Sequence, residues 1–74
     1  MNNKKVNYYE LEFDDEYSIC IKGERKPTVE EANIFAKADC EKFGASIIDV
    51  LEISDKEAHM SFDMEKEESF PIFR

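Results

Sequence analysis

The sequence has little of what many catalytic sites are built from. It contains one histidine, two glycines and no tryptophan in 74 residues. Two isolated glycines exclude a glycine-rich phosphate loop, which needs several of them close together. The histidine, His59, is not accompanied by a recognisable nucleophile motif. We therefore predict that the protein is not an enzyme. A small hydrolase or metal-dependent enzyme, with a site around His59, is the lowest-ranked alternative.

Cysteines are also few. Cys20 and Cys40 form no Cys-x-x-Cys motif, and small secreted domains carry more cysteines than this. We expect two reduced thiols in a cytoplasmic protein, with no metal and no cofactor, since Cys20, Cys40 and His59 lack the spacing of a zinc site. No apolar segment of a signal peptide follows the first residues, and no run approaches the ~18 apolar residues of a membrane span.

Basic residues are scarce: the chain has 10 basic and 18 acidic residues, which gives a net charge of −8. This balance argues against direct binding to nucleic acid and to anionic membranes, because both need a basic surface. A hydrophobic content of 42% is nevertheless too high for a disordered acidic segment. The length predicts a single globular domain over residues 1–74, of which we expect residues 1–5 to be disordered.

Three segments have the patterns of strands. Residues 6–13 and 17–22 alternate apolar and polar side chains around the acidic turn at residues 14–16, which predicts an antiparallel hairpin that ends at Gly23. Residues 46–53 carry aliphatic side chains on both faces, which favours a central strand.

Between the second and third strands the pattern is helical. Thr28 and Glu31 have the spacing of a capping box, apolar residues recur at helical spacing, and Gly44 has the position of a C-terminal cap. The spacing predicts one helix over residues 29–43.

Residues 55–64 carry conflicting signals. Ala58 to Met64 alternate as in a strand, whereas Ser54 and Glu57 form a second possible capping box. The alternation slightly favours a strand. The fold class is α+β: an antiparallel sheet with one helix packed on one face, in the order β-β-α-β and then a fourth strand or a short helix.

The segment SFPIFR, residues 69–74, is largely apolar and follows a run of acidic residues. Pro71 excludes a regular central strand but allows an edge strand or an extended tail. Burying a phenylalanine is worth roughly 1.5–3 kcal/mol, and a small domain has few such residues to spare. We expect residues 70–74 to pack back on the core through Phe70 and Phe73.

Two helical residues do not fit the simple pattern. Asp39 falls near the centre of the apolar face, so it must be paired, hydrogen-bonded or at the rim of the core. Ile34 falls on the solvent-facing side of the predicted helix, beside Ala38. Together with the tail, Ile34 and Ala38 would form an interface.

At IKGERKPTVEEA and SFPIFR the sequence resembles small acidic proteins encoded by phages and integrative elements of low-GC Gram-positive bacteria. The resemblance covers composition and element order. That group includes anti-CRISPR and anti-restriction inhibitors, several of which bind the nucleic-acid channel of a host nuclease. The resemblance thus implies an inhibitor as one expected role.

The charges suggest where a partner would bind. Five acids and no base lie between residues 10 and 16. We predict a non-catalytic domain that engages a basic partner protein, in its most specific form a nucleic-acid-mimicking inhibitor of a defence nuclease. The alternative is a structural or assembly protein acting as a homodimer. The predicted partner-binding residues are Glu10, Glu12, Asp14, Asp15, Glu16, Asp63, Glu65, Glu67 and Glu68.

Overall fold

A computed structural model describes residues 6–61 and 70–73 of the chain, and it confirms the α+β class. The elements are β1 (Asn7–Phe13), β2 (Ser18–Gly23), α1 (Val29–Phe35), α2 (Lys37–Phe43), β3 (Ile47–Ile53), α3 (Asp55–Ser61) and β4 (Ile72–Phe73). The sheet order is β3-β1-β2-β4. Residues 1–5, for which we predicted disorder, lie outside the described residues, as do Asp63, Glu65, Glu67 and Glu68.

The hairpin forms where the alternation predicts it. β1 pairs with β2 in antiparallel register, and the backbone N–H of Phe13 donates to the oxygen of Tyr17 across the turn. β3 pairs antiparallel with the other side of β1. The prediction that β3 is central is wrong, because in the described sheet it forms one edge. Its pairing is irregular between Glu12 and Phe13, and its aliphatic residues divide between the core (Ile47) and solvent (Ile48).

The predicted single helix over residues 29–43 is two helices that meet at Ala36. The capping box forms as predicted: Thr28 Oγ1 accepts from the backbone N–H of Glu31, and Glu31 Oε1 accepts from that of Thr28. Gly44 ends α2 with the left-handed φ of 65° expected of a glycine cap. The break moves Asp39 into the first turn of α2, half-buried, where the helix dipole favours a carboxylate.

Within residues 55–61 the capping signal prevails over the alternation, and the preference for a strand is wrong. Ser54 Oγ accepts from the backbone N–H of Glu57 at 3.0 Å, so α3 begins at a side-chain cap. Ala58 is fully buried and Met60 is exposed, as on a helix with one apolar side. In the described part of the chain, the fourth strand is therefore β4, near residue 74.

β4 makes the sheet mixed rather than purely antiparallel, because it runs parallel to β2. The oxygen of Pro71 accepts from the N–H of Lys22 at 2.9 Å, which keeps the proline at an edge. Phe73 lies beside Gly23, where an added Cβ would be 2.9 Å from the Phe73 backbone oxygen. The guanidinium of Arg25 lies 4.9 Å from the centre of the Phe73 ring.

The sheet separates two apolar layers. One layer lies under α1 and α2, and we call this side of the sheet the helix-pair face. Its buried residues are Tyr9, Leu11, Phe13, Ile21, Ala32, Ala36, Ile47, Val50 and Phe73. The other layer lies under α3, on what we call the α3 face. Its buried residues are Tyr8, Cys20, Ala58 and Phe70, with Ile53 packed against them.

Among the described residues, no helix has both the length and the apolar character needed to span a membrane.

Candidate functional site

The strand register divides the α3 face into a part that α3 and Phe70 cover and a part that no other described element covers. Residues directly opposite on neighbouring strands share a face, so Tyr8 lies with Ile53, Glu10 with Leu51, and Glu12 with Asp49. The first of these rows is packed against α3 and Phe70. We call the rest of this face the acidic half-face, which consists of Glu10, Glu12, Ser18, Asp49 and Leu51.

Two acids of the acidic half-face oppose one another. Glu12 of β1 is the direct partner of Asp49 of β3. Like charges at opposed positions destabilise a sheet by a few tenths of a kcal/mol up to about 1 kcal/mol. Within residues 6–61 and 70–73 no ion pair reaches Glu10, Glu12 or Glu16. Glu10 and Glu12 therefore carry negative charge that no ion pair among the described residues neutralises.

The charge of Glu10 acts on a buried thiol. Glu10 is half-buried on β1 and lies opposite Cys20 of β2, whose exposed fraction is 3%. Burial first, and the neighbouring Glu10 carboxylate second, raise the pKa of Cys20 from 9.0 to about 11. Cys20 is thus a neutral, inert core thiol at physiological pH, and it packs with Tyr8 and Phe70.

A groove of about 210 Å³ extends from the acidic half-face to the hairpin turn. Its lining residues are Glu10, Glu12, Phe13, Glu16, Tyr17 and Ser18. The Tyr17 ring is 58% exposed and stacks on Phe43 of α2 with centroids 5.1 Å apart, so it forms a fixed aromatic wall. The groove thus combines three carboxylates with an aromatic surface.

Glu16 holds an unusual backbone conformation at the turn. Its φ is 83°, the only positive φ of a non-glycine residue in the described ranges. Three-residue hairpin loops place a left-handed residue at this position and favour glycine there. A glutamate at this point costs conformational energy and adds a carboxylate to the groove.

The other two predicted acids of the hairpin have different surroundings. Asp15 Oδ1 accepts from the backbone N–H of Tyr17 at 3.3 Å, so this carboxylate helps to shape the turn. Asp14 is exposed and does not line the groove, and its backbone N–H donates to the oxygen of Ser46. The structure therefore brings together Glu10, Glu12 and Glu16 and sets Asp14 and Asp15 at the turn.

Sequence reasoning missed three residues of this site: Asp49, Leu51 and Tyr17. Tyr17 appeared only as a member of an alternating strand, and Asp49 and Leu51 only as members of a strand with aliphatic residues on both faces. Asp49 and Leu51 join the site because β3 pairs with β1, and that register is not visible in the order of residues along the chain.

His59 lies outside this site, on α3. Its Nδ1 is 2.8 Å from both the backbone oxygen and Oδ1 of Asp55, and its ring makes edge contacts with Tyr8 and Phe70. These contacts are those of a packed helix residue. In the described part of the chain, no three histidine, cysteine or acidic side chains come together as metal ligands.

The strongest ion pair in the described ranges is elsewhere as well. Arg25 makes two 2.8 Å hydrogen bonds to the Glu31 carboxylate, which also closes the capping box of α1. The guanidinium, followed by the backbone N–H of Thr28, lowers the pKa of Glu31 from 4.5 to about 2. This pair anchors the loop between β2 and α1, next to Phe73.

Comparisons with protein-family models, curated proteins and solved structures found no match to this chain.

Proposed function

We propose that the protein is a non-catalytic binding domain of the cytoplasm that engages a basic partner protein through the acidic half-face and the adjoining groove. The observation that carries the proposal is the opposed pair Glu12 and Asp49, which no cation neutralises in the described residues. The repulsion between the two carboxylates destabilises the free protein, and a cation supplied by a partner relieves this repulsion.

The composition of the groove supports the same role. A guanidinium binds carboxylates through paired hydrogen bonds and stacks on aromatic rings. Glu10, Glu12 and Glu16 supply the carboxylates, and Tyr17 supplies an exposed ring. A net charge of −8 adds long-range attraction, which raises the association rate with a basic surface.

In its specific form, the proposed role is that of an inhibitor that occupies the nucleic-acid channel of a nuclease. Acids two residues apart on one strand are about 7 Å apart, and acids on neighbouring strands are about 5 Å apart. A row of charges at these spacings competes for the lysines and arginines with which a channel binds phosphates. Glu10 and Glu12 on β1, with Asp49 on β3, have this arrangement.

The test is affinity capture from host lysate with graded salt washes, followed by binding kinetics on the captured protein. A triple variant, Glu10→Lys, Glu12→Lys and Glu16→Lys, is compared with Glu30→Lys, Glu41→Lys and Glu52→Lys. Both variants change the net charge equally, and the control acids are exposed at other positions. The proposal predicts a much slower association and a flatter salt dependence for the first variant. Equal losses in both variants would refute a specific acidic site.

A homodimer is the second candidate, and one observation favours it. Ile34 on α1 is 71% exposed and Ala38 on α2 is also exposed, so these helices present apolar atoms to solvent. Phe70 and Phe73, by contrast, are buried within the protomer and cannot contribute to such an interface. Light scattering at several concentrations, with Ile34→Ser as the variant, decides this candidate. A strict monomer at all concentrations would eliminate it.

A further inference from the structure

Among the described residues, α3 covers one end of the α3 face, and the other end is mixed in character. Leu51 lies there, 38% exposed, with Glu10 directly opposite on β1. We propose that the partner docks an amphipathic basic helix on the acidic half-face, beside α3, with its apolar side against Leu51. This inference rests on the proposed function and specifies the surface and the structural class of the partner segment.

The apolar part of the surface explains why a helix fits. Ile53 and Cys20 belong to the apolar layer that α3 covers. Leu51 lies next to them on the same face and extends this layer beyond α3. A sheet face of this kind buries its apolar residues against helices, as both faces of this sheet do. Loops bearing only cations would leave Leu51 in water, whereas an apolar helix side would cover it.

Charge complementarity defines the polar side of the same helix. Glu10, Glu12 and Asp49 flank Leu51 along and across the strands. A helix with lysines or arginines on the borders of its apolar stripe places them against these acids. A second copy of this chain does not fit, because a two-fold contact would bring two sets of the same acids together.

Addition of an extended strand at the β3 edge is the competing mode, and side chains obstruct it. Asn33 of α1 donates to the backbone oxygen of Ile47 and accepts from its N–H, both at 2.9 Å. Asp49 Oδ1 accepts from the N–H of Val50 at 2.9 Å. Backbone groups that a new strand would need are thus already bonded at the edge, so the sheet face is the more accessible surface.

The test uses a synthetic peptide of about 15 residues, roughly four helical turns, built from leucine and lysine in an amphipathic helical pattern. A scrambled peptide of the same composition and polylysine serve as comparison probes. Amide shifts of the full chain are mapped by NMR, and affinities are measured for the wild type and for Leu51→Ser. Ile34→Ser, which removes a more exposed apolar side chain on α1, is the matched control.

The expected result is shifts centred on Glu10 and Leu51, at least tenfold weaker binding of the scrambled peptide, and a similar loss in Leu51→Ser but not in Ile34→Ser. Equal binding of all three probes, with shifts still centred on Glu10, would overturn the helix inference and leave the acidic surface standing. Shifts centred elsewhere would overturn both proposals. If no basic probe binds, both proposals fail. Shift mapping on the unmodified chain gives an answer even if Leu51→Ser does not fold.

Discussion

The helix-pair face and the α3 face share the same strands but differ in how β1 contributes to them. Towards the helix pair, β1 presents Tyr9, Leu11 and Phe13, all of them buried. Towards α3, only Tyr8 is buried, and Glu10 and Glu12 follow it. β1 therefore contributes an apolar row to the helix-pair face, and one tyrosine followed by two acids to the α3 face, which is itself part of the core where α3 and Phe70 cover it.

The largest expected effect is that of removing residues 70–74. Phe70 belongs to the α3 face and Phe73 to the helix-pair face, and truncating one buried phenylalanine costs about 3–5 kcal/mol. Total stabilities begin at about 5 kcal/mol, so we expect the truncated chain to be unfolded at 25 °C by circular dichroism.

Single substitutions in this segment compare the two faces directly. Phe70→Ala and Phe73→Ala should each lower the urea midpoint strongly, whereas Ile72→Ala, at an exposed position, should lower it little. If Phe70→Ala were as mild as Ile72→Ala, the α3 face would not be part of the core.

Asn33→Ala should have the next largest effect, about 1–3 kcal/mol of unfolding free energy. The substitution leaves the N–H and the oxygen of Ile47 without the side chain that bonds them to α1. Urea titration measures the loss. Ile34→Ala, one residue further along the same helix and exposed, is the control and should stay within about 0.5 kcal/mol of wild type. Equal effects would show that the bridge contributes nothing.

Glu16→Gly should stabilise the protein by about 0.5–1 kcal/mol, because glycine adopts the φ of 83° without a Cβ clash. It should at the same time weaken partner binding, since it removes a groove carboxylate. Glu16→Ala, which removes the charge and keeps the Cβ, separates the two causes. A stabilisation of the same size in both variants would assign the effect to charge and not to the backbone.

Glu12→Gln should raise stability by a few tenths of a kcal/mol, by removing the repulsion from Asp49. The gain should shrink as salt is added, because screening weakens exposed repulsions. Thermal unfolding at low and high ionic strength measures it, with Glu41→Gln on α2 as the control. A destabilised Glu12→Gln would mean that Glu12 has a favourable partner in the free protein.

The last comparison concerns the reactivity of the two thiols, one on each face of the sheet, and it involves no loss of stability at neutral pH. Cys20 is buried with a pKa raised to about 11, whereas Cys40 is half-buried on α2. Cys20 should react with a thiol reagent at pH 8 much more slowly than Cys40, and the difference should vanish in denaturant. Its raised pKa leaves stability unaffected below pH 9 and lowers it as pH rises from 9 towards 11. Equal native rates would contradict the burial of Cys20.

Local signals in the sequence were sufficient for the hairpin, the capping box and the glycine cap. Each depends on neighbours within four residues, such as Thr28 and Glu31, and on little else. The same kind of signal failed at residues 55–61, where period two and a capping box competed. The helix forms with the local cap of Ser54, and it also buries Ala58 against Tyr8 and Phe70, a tertiary contact that the local pattern does not show.

The candidate site could be predicted only in part, for a similar reason. The acids at residues 10–16 stand out in the sequence, but their grouping depends on strand pairing. Glu12 meets Asp49, and Glu10 meets Leu51, only because β3 pairs with β1 in one register. Asn33 is an extreme case, since its role depends on Ile47, which is distant in sequence and adjacent in space.

The pairing of β4 with β2 also affects how the chain folds. Phe73 meets Gly23 roughly fifty residues away along the chain, a separation that makes this contact slow to form. Each apolar layer lacks one phenylalanine until the segment 70–73 docks beside β2. A folding intermediate in which this segment has not docked therefore exposes apolar surface to proteases and chaperones.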